Sequence, residues 1–103
     1  MVDTTSLIQA VDRFADRLRA APQSRLQRAG AAEALALARE FARRAQLAEF
    51  PGAEPREMPD AGMFAAADQV TVAGRDLALV LKTEEEVAEA VRLVQEAQRR
   101  AGV

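Results

Sequence analysis

The sequence predicts an all-α fold, an antiparallel four-helix bundle made of two helical hairpins. Three observations lead there. Alanine makes up nearly a quarter of the chain, and apolar residues recur at steps of three and four. Prolines, with Gly52, separate the first three stretches that show this period, and a capping signal at Thr83 opens the fourth. Only residues 69–81 also alternate like a strand, so three helices plus a β-hairpin at 69–81 is the competing α+β reading. A chain of 103 residues makes one domain, 1–103, and buries about 65% of its unfolded surface in one core.

The first helix is expected over residues 5–21. Leu7, Val11, Phe14, Leu18 and Ala21 share one face, and Asp12, Arg13, Asp16, Arg17 and Arg19 occupy the others. Thr4, Thr5 or Ser6 offers a capping hydroxyl, and Pro22 stops the helix because its ring clashes with the preceding turn. Ser24 caps a second helix that reaches Glu49, where Phe50-Pro51-Gly52 ends it. Gly30 inside this helix costs about 1 kcal/mol relative to alanine, so it marks a kink or a close backbone approach. Ala31, Ala34, Ala38, Phe41, Ala45 and Ala48 form a seam of mostly small residues, while Leu26, Leu35, Leu37 and Leu47 carry apolar surface onto other faces. A helix apolar over so wide an arc is central to a bundle or shared between subunits.

Residues 50–60 hold three of the four prolines and read as an extended connection. Residues 60–82 read two ways. As a helix, Asp60 caps the start, and Met63, Ala67, Val70, Gly74, Leu77 and Leu81 line one face. As a hairpin, 69–72 and 77–81 are strands joined at 73–76. The helix is preferred, because an isolated two-stranded hairpin is marginal in water. The last helix is signalled most clearly. Thr83 and Glu86 make a capping box, the glutamates after Thr83 suit the positive end of the helix dipole, and Gly102 closes it. Val87, Ala90, Val94, Ala97 and Ala101 face inward.

Function is read mainly by exclusion. The chain has no His, Cys, Trp or Tyr, which removes Ser–His and Cys–His nucleophiles, disulfides and zinc–thiolate sites. No cofactor is expected. Ser6 and Ser24 serve as caps, and Lys82, the only lysine, as a solvated side chain. Glutamates are the remaining chemical candidates: Glu86 and Glu89 stand three apart with Glu85 adjacent, and hard cations take carboxylate ligands. A Mg²⁺-dependent hydrolase acting on nucleotides or phosphates is therefore the alternative function. Downstream of the pair the only acid is Glu96, so capping and solvated surface are the simpler roles.

Arg39, Arg43 and Arg44, with Arg25 and Arg28, give the second helix a basic flank and suggest a DNA-binding accessory as a third reading. Glu33, Glu40 and Glu49 interleave with them, however, so pairs such as Glu40–Arg44 account for the pattern. The net charge of −2 also disfavours phosphate backbones. Residues 1–50 carry eight basic against six acidic residues, and 51–103 carry six against ten. That asymmetry can orient two copies, or two parts of one copy.

Surplus apolar surface favours protein–protein association. Leu37, Leu47 and Leu79 lie off the main stripes, and Met58, Met63 and Phe64 cluster where the loop meets the third helix. The expected function is a non-enzymatic interaction or regulatory module, a homodimer or the partner of another protein, with interface residues Leu37, Leu47, Met63, Phe64 and Leu79. No apolar run has the length of a membrane span, and the N-terminus lacks the basic start of a signal peptide. A cytoplasmic protein is expected. The preference for Arg over Lys beside so much Ala is that of a GC-rich bacterial coding sequence.

Overall fold

A computed structural model describes all of residues 1–103. It contains four helices and no strand. Helix α1 is Thr5–Ala20. Helix α2 is Ala31–Glu49, prolonged on its N-terminal side by Gln23–Arg25 and a π-helical turn, Leu26–Gly30. Helix α3 is Ala66–Val80, entered through a 3-10 turn at Met63–Ala65. Helix α4 is Glu84–Ala101. Residues 23–49 stay helical throughout and at 1.5 Å per residue run about 40 Å, which matches the molecule's long dimension of 39 Å.

The all-α, four-helix reading holds, and the hairpin at 69–81 does not. Ala66, Ala67, Val70, Ala73, Gly74 and Leu77 are buried along one helical face of α3. Packing against this face overrides the strand preference of the Val70-Thr71-Val72 run. Gly74, the turn residue of the hairpin reading, instead meets α1. A Cβ on it would stand 2.7 Å from Val11 Cγ2, so only glycine lets the two helices approach so closely.

The helix starts differ in detail from expectation. Asp3 Oδ1 accepts the Thr5 N–H at 2.9 Å, so an acid, not a hydroxyl, begins α1. Pro22, extended at ψ 151°, precedes Gln23, and Ser24 is not a cap. Asp60 Oδ1 accepts the Gly62 N–H at 2.8 Å and shapes the turn before α3, with Gly62 at φ 92°. Gly30 ends the π turn, and Leu26 and Gly30, four residues apart, both face the core.

The pairing of the helices differs from two packed hairpins. The closest neighbours are α2 with α3, α1 with α3, α1 with α4, and α2 with α4. Helices joined by the tight turns therefore lie across the bundle diagonal. Arg19–Asp68 at 2.8 Å and Arg75–Asp12 at 3.3 Å show α1 and α3 antiparallel. Arg100–Glu33 at 3.1 Å joins the last turn of α4 to the first turn of α2, so these two are also antiparallel. The C-terminal ends of α2 and α3 meet at Leu47, Leu77 and Leu81, which makes that pair parallel. The four directions run up, down, down, up.

This arrangement explains the proline-rich connection. The chain leaves the bottom of α2 and must climb back along about 28 Å of helix before α3 can run parallel to it. Residues 50–62, if extended, reach at most about 43 Å, so a coiled loop would fall short. Prolines keep the segment open, and side chains pin it at successive heights. Gln46 donates to the Arg56 carbonyl at 2.9 Å and accepts the Arg56 N–H at 2.8 Å. Arg39 donates to the Met58 carbonyl at 2.8 Å, and Gln69 to the Pro59 carbonyl at 2.9 Å.

Candidate interaction surface

Helix α3 packs on α2 and α1 and turns its remaining face outward. That face carries Asp68, Val72, Arg75 and Leu79, spaced four, three and four residues apart on one side of the helix, and the 3-10 turn leading into it adds Phe64 at its start. Phe64 is 74% exposed, Val72 56% and Leu79 84%. The two charged members lean toward α1, Asp68 onto Arg19 and Arg75 onto Asp12. The stripe therefore alternates apolar, acidic, apolar, basic, apolar over about 23 Å at the helical rise.

The expected interface residues divide. Phe64 and Leu79 lie on this stripe. Leu37 does not belong to any surface: at 6% exposure it is part of the core. It sits beside Ala38 on α2, which is covered by both α3 and α4 and so buries a broad arc. Met58 and Met63 are half-buried against the core. Leu47 borders a groove at the other end of the bundle, away from Phe64. Sequence reasoning misses Val72, since a valine in a β-branched run reads as core. The signal for it is its step of seven residues from Leu79, out of phase with the inward residues Val70 and Leu77.

The groove, about 450 Å³, opens where α2, α3 and α4 converge. Leu47, Leu77, Leu81 and Ala90 form its floor, with Arg43 and Arg44 on one rim and Glu85, Glu86 and Glu89 on the other. The three glutamates do not converge on a common point, and no cluster of acids capable of holding a metal ion forms. Glu86 Oε1 accepts the backbone N–H groups of Lys82 at 2.8 Å and Thr83 at 3.0 Å, and these bonds hold its carboxyl below the usual range. Arg92 donates to Glu89 at 3.0 Å and likewise lowers it. Both acids are engaged as ions.

Four of the five arginines of the basic flank, Arg25, Arg39, Arg43 and Arg44, are engaged as well. Glu40 accepts from Arg43 at 2.9 Å and from Arg44 at 2.6 Å, as the sequence spacing implied, and the Arg43 bond above all lowers the Glu40 carboxyl. Arg39 is turned onto the loop, and Arg25 donates to the Gly102 carbonyl. No polar or charged residue is buried. Ser6, Ser24 and Lys82 are all exposed. No helix is long and apolar enough to cross a membrane. No family model, curated protein or solved structure matches the chain.

Proposed function

We propose that the protein is a non-enzymatic protein–protein interaction module that docks through the outer face of α3, with a second copy of the chain as its partner. The observation that carries this reading is the succession of Phe64, Val72 and Leu79, three large exposed apolar side chains, along the outer side of α3 and the turn that leads into it. This succession sets them apart from the scattered apolar residues of any surface. The side-chain chemistry supports the same reading. Nucleophilic and general-base catalysis draw on groups whose pKa is shifted toward neutrality by burial. The shifted carboxylates of this chain, Asp3, Glu40, Glu86 and Glu89, all move the other way, deeper into the ionised form, through caps and surface ion pairs.

Sedimentation equilibrium tests the proposal. A helix-wide contact of this length lies at the low end of specific interfaces, so association is expected at about micromolar to millimolar concentration. Twice the 11.1 kDa chain mass is the expected limiting species. Leu79→Glu places a charge in the stripe without touching the core, and should return the protein to monomer. A wild-type protein that stays monomeric up to about 1 mM, the weak end of measurable association, overturns the proposal.

A further inference from the structure

The outward stripe of α3 is self-complementary in a particular register. Phe64 and Leu79 lie equally far from a point between Thr71 and Val72, and Asp68 and Arg75 lie equally far from that same point. A two-fold axis through it reverses one helix against another. Each Phe64 then meets a Leu79 of the other copy, each Asp68 meets an Arg75, and the two Val72 side chains meet near the axis. Two-fold interfaces require this reciprocity, residue i on residue j and j on i.

The wrong sign at any position would break the match. Had both charged positions carried the same sign, the antiparallel register would set like charges opposite each other. Here every apolar residue finds an apolar one and every acid a base. The charges are accessible for the purpose: the Asp68 side chain is 77% exposed and that of Arg75 53%. Their present ion pairs with Arg19 and Asp12 lie on the surface, where such pairs contribute about 0–1 kcal/mol, so sharing or exchanging them costs little.

We infer that the chain forms an isologous dimer through antiparallel α3 helices, centred between Thr71 and Val72, with reciprocal Asp68–Arg75 ion pairs. This rests on the self-association reading above and adds its geometry. Other occupants of the stripe, such as an unrelated amphipathic helix, would not need the palindromic order of charges. Charge order is therefore what distinguishes a second copy from another partner.

Charge reversal tests the register. Asp68→Arg alone sets two guanidinium groups against each other across the axis, and Arg75→Asp alone sets two acids together. Each single variant should weaken self-association about tenfold or more, since facing like charges are costly at an interface. The double variant, and an equimolar mixture of the two singles, restore opposite charges across the axis and should recover association. Within one chain the reversed charges also face Arg19 and Asp12, and that repulsion persists in the double variant. Recovery therefore cannot come from the fold.

Val72→Cys adds a second readout in a chain with no other thiol. Near the axis the two thiols come within disulfide reach, about 4.4–6.8 Å between Cα atoms. Mild oxidation should give a covalent dimer, whereas Ala36→Cys, exposed on α2, should not. A wild-type monomer overturns the self-association reading and the register with it. A dimer in which the double variant and the mixture stay as weak as the singles, or in which Val72→Cys fails to cross-link, overturns the register alone.

Discussion

At the scale of single residues, two glycines in helices do opposite things. Gly74 is a spacer between helices: a Cβ would lie 2.7 Å and 2.9 Å from the two methyls of Val11. Valine cannot rotate away, because its χ1 is held by branching at Cβ. Gly74→Ala should therefore destabilise the protein by about 1–3 kcal/mol, despite the helix propensity alanine adds. In a Val11→Ala background the same change should become neutral or favourable, and urea denaturation of the four variants measures that coupling. Gly30 is different. A Cβ there would meet Arg25 O and Leu26 Cδ2 at 3.3 Å, and the leucine end can shift. Gly30→Ala should stay within about 1 kcal/mol of wild type, crowding offsetting the gain in propensity. Thr83 marks a third kind of residue. Its hydroxyl accepts the Glu86 N–H at 3.1 Å, and Thr83→Ala should cost about 1 kcal/mol in the same measurement.

At the scale of elements, α4 was wholly legible in the sequence. Its capping box, its buried set Val87, Ala90, Val94, Ala97 and Ala101, and its left-handed Gly102 at φ 73° all stand as read. Gly102 donates to Arg99 O and Val103 to Gln98 O, a Schellman closure set by the glycine alone. These are contacts within a few residues, and sequence spacing determines them. Helix α3 was legible as to its inward face, while its start was misplaced because Asp60 builds a turn around Gly62 and the backbone enters the helix only at Met63. The crossover at 50–62 was legible as extended, but not for its purpose. Gln46 is the side chain that clamps it at Arg56 from both sides of the peptide. Gln46→Ala should leave the helical circular dichroism unchanged while trypsin cleavage after Arg56 accelerates several-fold, since local opening governs such cleavage. An unchanged cleavage rate would show that the loop is held elsewhere.

For the whole molecule, the absence of His, Cys and Tyr has a thermodynamic consequence. None of the chain's side-chain types ordinarily titrates between about pH 5.5 and 9.5, so side chains should add little slope to stability across that window. On the acid side the carboxyls of Asp3, Glu40, Glu86 and Glu89 are held below their ordinary values. A lowered folded-state pKa means the folded form keeps its charge where the unfolded chain takes up a proton. The stabilisation is present above the unfolded values, about pH 4, and is lost as pH falls through the folded ones. Thermal melts should thus agree at about pH 6 and pH 9 and drop below about pH 4. A pronounced slope between those two upper values would contradict this.

The sequence by itself determined that the chain is helical, where most of its helices end, and which residues of α1, α3 and α4 face inward. Helical period and capping are short-range effects, written in residues three and four apart. The tertiary structure decided which helix lies beside which. Two helical hairpins would set α1 beside α2, yet each packs chiefly on α3 and α4, and the long crossover lets α2 and α3 run parallel. That choice also decided the surface. Packing α2 between α3 and α4 places Leu37 in the core, whereas nothing packs on the face of α3 turned away from α1 and α2, which leaves Phe64, Val72 and Leu79 in solvent. An apolar residue's spacing says which way it points, but only the number of neighbours on that side says whether anything covers it.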